Sequence, residues 1–162
     1  QDKVPLTQQL INEYEKTHSS ILAVKKVPND EVSAYGVIDP ESEVAPGLFN
    51  VNKFVDKPAV KDATSDLAII GRYVLTPEIF DILDKQKPGK GDEIQLTDAI
   101  DELNQTQRVF AHEFKGDRYD VGNKFGFVQT TIEYGLTHPE VKDQLRPYLL
   151  KLADQLKTDK QA

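Results

Sequence analysis

The chain has 162 residues and a formal net charge of −7, from 20 Lys and Arg against 27 Asp and Glu. That length fits one domain of roughly 100–200 residues, and the acidic balance disfavours nucleic acid as a partner. The chain has no Cys, which excludes disulfides, Cys-based zinc sites and thiol catalysis, and no apolar run approaches the ~18–20 residues of a membrane span.

Hydrophobic periodicity predicts helices and strands that are interleaved along the chain. In order, we predict a helix over 5–18, a strand over 21–24, a helical turn over 30–33, strands over 35–38, 49–55 and 67–75, a helix from residues 76–78, a helix over 92–103, a strand over 109–114, and helices from residues 124 and 139. This order indicates an α/β layer architecture with a mixed sheet.

Local signals mark where several of these elements begin and end. We expect Asp39-Pro40 to close the second strand as a turn. Thr76 is expected to cap the following helix, with Pro77 in its first turn. Pro147 should kink or divide the last helix, because proline lacks the backbone donor that a helix interior uses.

Two common kinds of catalytic motif are missing from the sequence. His18, His112 and His138 show no HxH or HExxH spacing, so we interpret them as structural. Neither GxGxxG nor GxxxxGK followed by Ser or Thr occurs. Residues 88–91 contain Gly and Lys, but they join two predicted helices, which favours a turn over a phosphate loop.

The first candidate site is Asp56-Lys57-Pro58, at the end of a predicted strand. An adjacent carboxylate and ammonium can hold a sugar hydroxyl and a phosphate. Pro58 is expected to hold Lys57 in an extended backbone conformation. The alternative is an exposed charge pair worth under ~1 kcal/mol, and the residues alone favour that alternative.

The second candidate site is the loop from Arg118 to Asn123, after the last strand and before a helix. Ligands of α/β sheets collect at the carboxyl ends of strands, and Mg²⁺ needs only one or two carboxylates when phosphates supply other ligands. Asp120 is therefore a candidate metal ligand. Gly122 permits close approach or a positive φ, and Asn123 is a helix cap. A purely structural role for Asp120 at the helix start is equally open.

Five segments in a fixed order closely resemble the bacterial UTP–glucose-1-phosphate uridylyltransferases, or UDP-glucose pyrophosphorylases. They are YGVID at 35–39, FVDKP at 54–58, LAIIGRY at 67–73, GDEIQLTDAI at 91–100 and RYDVGNK at 118–124. The resemblance covers nearly the whole chain and implies part of a three-layer, Rossmann-like nucleotidyltransferase fold. That family's chains are close to twice this length, so we expect the C-terminal half, without the Gly-rich loop that holds the UTP phosphates.

The resemblance implies that UTP and glucose 1-phosphate give UDP-glucose and pyrophosphate, with Mg²⁺ as cofactor. It assigns Lys57 and Asp120 to catalysis and Asp120 to the metal. The implied substrate-binding residues are Gly36, Asp56, Lys57, Gly71, Arg72 and Tyr73. The family usually has Glu where this chain has Asp56, a side chain shorter by ~1.5 Å, which puts glucose specificity in doubt.

Further expectations concern organisation. We assign residues 1–138 to the sugar-phosphate-binding part and residues 139–162 to a C-terminal helical segment with a dimer contact. We expect a cytoplasmic homo-oligomer with no membrane partner, and negligible turnover from the isolated chain. The alternative function is a non-catalytic sugar-phosphate-binding or oligomerisation module of the same family.

Overall fold

The computed structural model describes residues 4–88 and 92–159. The predicted turn at 88–91 therefore lies, apart from its first residue, outside the described residues. The chain divides into two compact units, residues 1–116 and residues 117–162, which are described separately below. The boundary expected between residues 138 and 139 falls inside the second unit, and the functional assignment of the two parts stays a prediction.

In its described residues, the first unit contains three helices, five strands and two short 3₁₀ segments. In chain order these are α1 (Leu6–Thr17), β1 (Ser20–Lys26), a 3₁₀ segment (Asn29–Ala34), β2 (Val37–Ala45), β3 (Leu48–Val55), a 3₁₀ segment (Val60–Asp62), β4 (Leu67–Val74), α2 (Glu78–Leu83), α3 (Leu96–Thr106) and β5 (Val109–Glu113). The second unit contains α4 (Lys124–Gly135) and α5 (Lys142–Asp159). Among the described residues, no helix is both long and apolar enough to cross a membrane.

The five strands form one sheet whose order, β1-β4-β2-β3-β5, closes back on β1. β1 and β5 run parallel, whereas the other neighbouring pairs are antiparallel. The expected α/β fold with a mixed sheet is therefore confirmed.

Strand β1 shows how the layers arise from the sequence. Successive side chains of a strand point to opposite faces, and all four residues from Ile21 to Val24 are buried. Ile21 and Ala23 pack in a cluster with Leu10 of α1, whereas Leu22 and Val24 belong to the cluster that includes α2 and α3 residues. Helices thus cover both faces of β1, as in a three-layer α/β arrangement.

Two predicted boundaries in the first half of the chain are wrong. Strand β2 does not end at Asp39-Pro40 but continues to Ala45. The register of its pairing with β3 is irregular on either side of Pro40. Because regular hydrogen bonding is already interrupted there, the missing N–H of proline is tolerated. Thr76 does not cap α2. Its buried hydroxyl donates to Gln107 at 3.1 Å and lies 3.4 Å from the Ser20 hydroxyl.

Two predicted helix features are also corrected. Helix α3 begins at Leu96, not at residue 92. Asp92 has a φ of +60° and Gln95 is extended, and neither conformation belongs to a right-handed helix. Helix α5 is not divided at Pro147, whereas the kink expected as the alternative stays a prediction. The carbonyl that Pro147 leaves without a helical partner belongs to Asp143, an exposed residue in the first turn, where water can satisfy it.

Candidate functional site

The start of β2 lies between the end of β3 and the start of β4. Val37 pairs with Val55 on one side and with Ala68 on the other. Just before it, the Gly36 carbonyl accepts a 2.8 Å hydrogen bond from the backbone N–H of Ile69. Gly36 therefore lies at a junction of three strands, where Asp56 and the residues before Gly71 come close along the backbone.

Lys57 adopts a backbone conformation that the sequence does not predict. Its φ is +43°, so the extended conformation expected from Pro58 is wrong. The cause is a long-range contact, because the Lys57 N–H donates a 3.1 Å hydrogen bond to the Tyr35 carbonyl. This bond folds the chain back against β2 immediately after β3 ends. Pro58 is buried, whereas the Asp56 and Lys57 side chains are exposed.

Gly71 lies in an irregularity of β4. Leu22 of β1 pairs with Tyr73 of β4, and Val24 pairs with Ile69. One residue therefore lies between the paired positions on β1, whereas three residues lie between them on β4. The two additional residues form a bulge, and Gly71 within it has a φ of +69°, which glycine adopts without steric cost. The bulge turns this part of β4 away from regular pairing.

The three residues predicted to line a sugar pocket lie in different surroundings. Gly71 and Arg72 are exposed, and an Arg72 guanidinium nitrogen donates to the Gly71 carbonyl at 3.0 Å. The Tyr73 ring instead packs against the main core, and burial raises the pKa of its hydroxyl. Within the first unit, Gly36, Asp56 and Lys57 are brought together, and their substrate-binding roles stay predictions.

Asp120 lies in the loop before α4, in the second unit. Its Oδ1 accepts a 2.8 Å hydrogen bond from the Gly122 N–H, and its Oδ2 lies 3.6 Å from an Arg118 guanidinium nitrogen. The expected cap is confirmed, since the Asn123 side chain accepts a 2.7 Å hydrogen bond from the Gly126 N–H. Gly122 has no positive φ. The absence of a side chain at Gly122 instead lets the Asp120 carboxylate lie close to its backbone.

The donor chemistry of Asp120 fits Mg²⁺ as a single oxygen ligand. The carboxylate is 47% exposed and is a hard oxygen donor of the kind that Mg²⁺ prefers. Within residues 4–88 and 92–159, no group of three or more His, Asp or Glu side chains is placed to hold a metal. A bound Mg²⁺ would therefore take most of its remaining ligands from phosphates and water.

The sequence pattern missed two polar groups that the fold brings into contact. The Tyr119 hydroxyl donates a 2.7 Å hydrogen bond to the Glu133 carboxylate. This bond is the main cause that raises the pKa of Tyr119 to about 12 and lowers the pKa of Glu133. The two residues are 14 positions apart, and no local signal pairs them. The bond ties the residue before Asp120 to the far part of α4.

The histidines have the structural positions expected of them. His18 ends α1 in a left-handed conformation, and its N–H donates to the Tyr14 carbonyl at 2.7 Å. The side chain of His112 is half-buried, and burial lowers its pKa. His138 follows α4, and its N–H donates to the Tyr134 carbonyl at 3.0 Å.

Comparison with known proteins identifies the class. Residues 3–135 match the nucleotidyl transferase family, so the chain belongs to that family. It is 67% identical, over 153 residues, to the UTP–glucose-1-phosphate uridylyltransferase of Streptococcus pneumoniae, a match that covers 94% of this chain and 51% of that protein. The chain thus spans about half the length of the curated relatives it matches. That it corresponds to their C-terminal half is not confirmed.

Solved structures give the same result. A UDP-glucose pyrophosphorylase complexed with UDP-glucose is 42% identical to this chain and superposes with a TM-score of 0.76. The match covers 81% of this chain and 49% of the chain in that structure. A UTP-bound enzyme of the same name from Acinetobacter baumannii is 33% identical, covers 90% and 50%, and has a TM-score of 0.78. The nucleotidyltransferase fold expected from the resemblance is confirmed.

Proposed function

We propose that this chain carries the sugar-phosphate side of a uridylyltransferase that forms UDP-glucose and pyrophosphate from UTP and glucose 1-phosphate. The observation that supports this most is the junction at the start of β2, where Gly36, Asp56 and Lys57 meet. The Lys57 backbone is held there by the Tyr35 carbonyl and the Gly36 backbone by the Ile69 N–H of β4, and the exposed Asp56 and Lys57 side chains project from this junction. The uridylyltransferase relatives support the choice of substrates.

Lys57 acts on the sugar phosphate. Its ammonium is a compact point charge, suited to hold the phosphate of glucose 1-phosphate while one of its oxygens attacks the α-phosphorus of UTP in line. The bond to the pyrophosphate leaving group then breaks. Negative charge spreads over the transferring phosphoryl group, and the Lys57 ammonium stabilises that charge.

Asp56 and Gly36 act on the sugar. The Asp56 carboxylate accepts a hydrogen bond from a glucose hydroxyl, and Gly36 lets the backbone approach the ring. Gly71, Arg72 and Tyr73 complete the sugar side. Because aspartate is shorter than glutamate by one methylene, ~1.5 Å, Asp56 reaches less far, and sugar choice is more relaxed than in an enzyme that has Glu at this position.

Asp120 would supply one carboxylate oxygen to Mg²⁺, which would offset the negative charge that develops on the phosphates. The Gly122 N–H holds one Asp120 oxygen at 2.8 Å, which fixes the orientation of the carboxylate before any ligand arrives.

Calorimetric titration of the 162-residue chain with glucose 1-phosphate tests the role of Lys57. Lys57→Ala is expected to weaken binding by about tenfold or more, or ~1.4 kcal/mol. Lys61→Ala is the matched control, since Lys61 is also exposed and lies four residues on in a 3₁₀ segment. Equal affinities for the two variants would exclude the proposed contact with the phosphate.

Titration with UDP-glucose, with and without Mg²⁺, tests the role of Asp120. We expect Mg²⁺ to strengthen binding and Asp120→Asn to abolish that increase. Turnover of the 162-residue chain is expected to be negligible, because its sequence contains neither GxGxxG nor GxxxxGK followed by Ser or Thr and we expect Asp120 alone to bind metal weakly. Pyrophosphate release at an ordinary enzymatic rate would contradict this expectation.

A further inference from the structure

The first turn of α4 lies directly against the backbone of Asp120. A Cβ atom on Gly126 would overlap the Asp120 carbonyl oxygen, and it would lie 3.1 Å from the carbonyl carbon and 3.2 Å from the Asn123 side-chain nitrogen. The backbone atoms cannot move away by a rotamer change, and the Asn123 side chain is held as the helix cap. Any residue other than glycine at position 126 must therefore shift Asp120 or the start of the helix.

A second glycine, Gly122, contacts the side-chain carboxylate of Asp120. The Gly122 N–H donates to Asp120 Oδ1 at 2.8 Å, and a Cβ atom on Gly122 would lie 3.0 Å from the same oxygen. That distance is too short for an unstrained carbon–oxygen contact. A side chain at position 122 would therefore push the carboxylate away from the position that the hydrogen bond sets.

We propose that Gly122 and Gly126 are positioning residues for the Asp120 carboxylate, Gly126 through the main chain and Gly122 through the carboxylate itself. The proposal rests on the metal-ligand role proposed above for Asp120. A metal ligand must be held within roughly 0.5 Å of its working geometry, and Asp120 is an exposed loop residue. The two glycines supply the close packing that a loop residue otherwise lacks.

Paramagnetic line broadening by Mn²⁺ tests this proposal without requiring turnover. In the ¹⁵N-labelled 162-residue chain, substoichiometric Mn²⁺ is expected to broaden the amide signal of residue 122, because that N–H is bonded to Asp120. Gly126→Ala is expected to need at least about 10-fold more Mn²⁺ for the same broadening. A loss of metal affinity of that size is typical when a group that orients a metal ligand is removed. Gly122→Ala is expected to show a smaller increase.

Gly135→Ala is the matched control. Gly135 is the last residue of the same helix, and a Cβ atom there would lie 2.6 Å from the Leu145 side chain. The added Cβ atom would contact Leu145 and Val141 and no atom of Asp120, so this variant perturbs the packing of α4 against α5 without touching Asp120. We expect it to need the same Mn²⁺ concentration as the unmodified chain, which separates positioning of Asp120 from general loss of helix packing.

Asp120→Asn separates the metal-binding role of Asp120 from the positioning role of the two glycines. If the unmodified chain shows no broadening, or Asp120→Asn broadens equally, the metal role of Asp120 is wrong. If Asp120→Asn abolishes broadening while Gly126→Ala behaves like the unmodified chain, the positioning role of Gly126 is overturned. If Gly126→Ala loses its dispersed spectrum, Gly122→Ala decides: an unchanged Mn²⁺ requirement overturns the proposal, and a raised one supports it.

Discussion

Lys57 holds a left-handed backbone conformation while its N–H donates a 3.1 Å hydrogen bond to the Tyr35 carbonyl. A left-handed conformation costs a non-glycine residue roughly 1–2 kcal/mol. The bond to Tyr35 and the burial of Pro58 hold the turn in place against that cost. Conformational strain of this kind is typical of functional positions, and here it falls on the residue proposed to hold the sugar phosphate.

Lys57→Gly is expected to separate stability from binding. Glycine adopts the positive φ freely but loses more backbone entropy on folding, so the net gain in unfolding free energy is about 0.5–1 kcal/mol. Binding of glucose 1-phosphate is expected to fall because the ammonium is gone. Denaturant unfolding and calorimetric titration of the same sample measure both effects.

Lys57→Ala is the control for that experiment. It removes the same ammonium but retains the strained conformation, so its binding should match that of Lys57→Gly without the gain in stability. A drop in unfolding free energy for Lys57→Gly would mean that the left-handed turn carries no strain.

Gly36→Ala is expected to reveal whether a ligand requires the glycine. A Cβ atom on Gly36 would lie 3.4 Å from the flexible end of Ile69, an ordinary contact, so unfolding free energy should change by less than ~0.5 kcal/mol. Affinity for UDP-glucose should fall, because the proposed close approach of the sugar ring to the Gly36 backbone leaves no room for a methyl group. Thermal unfolding and calorimetry give the two values.

Gly47→Ala is the matched control for Gly36→Ala. Gly47 has a φ of +74°, so alanine there should cost roughly 1–2 kcal/mol of stability and leave UDP-glucose affinity unchanged. Gly36→Ala with unchanged affinity would contradict the predicted contact with the sugar.

The sequence predicts most strands and helices of the first unit, because their patterns are local. Alternation fixes β3, and the apolar run from Leu67 to Leu75 predicts β4 within one residue of its observed end. The cap at Asn123 depends only on residues within one helical turn and was predictable for the same reason.

Features that depend on distant partners were not predictable in this way. The preference that Pro58 imposes on Lys57 is overridden by the carbonyl of Tyr35, 22 positions away. The bulge at Gly71 exists only relative to the register of β1. The steric reason for Gly126 appears only when the main chain of Asp120 is folded onto α4.

His112 is expected to make stability depend on acid pH. Burial lowers its pKa below the ordinary value of 6.5, and Glu13, Lys16, Glu113 and Lys115 are the charged groups that act on it. The unfolded chain therefore binds a proton more readily than the folded one. The stability that depends on a neutral His112 is fully present above the pKa of His112 in the unfolded chain. It is lost as the pH falls towards the lower pKa of His112 in the folded chain.

His112→Phe should remove that part of the pH dependence. Between pH 7.5 and 5, the denaturation midpoint of the unmodified chain is expected to fall more steeply than that of the variant. His138→Phe, in which an exposed histidine is replaced, should behave like the unmodified chain. Parallel slopes for all three proteins would show that His112 titrates alike in the folded and unfolded states.

Tyr119 and Glu133 are expected to give the opposite dependence, at alkaline pH. Their hydrogen bond raises the pKa of Tyr119 to about 12, above the unfolded value near 10, so the stabilisation is fully present below pH 10 and is lost as the pH rises through 12. In a ¹³C-tyrosine NMR titration, one signal should titrate near 12 and disappear in Tyr119→Phe. Glu133→Gln should move that signal towards 10, because the negative acceptor is lost, whereas Tyr148→Phe on α5 should leave it unchanged. A Tyr119 signal that titrates near 10 in the unmodified chain would mean that the bond to Glu133 does not hold the residue beside Asp120 in solution.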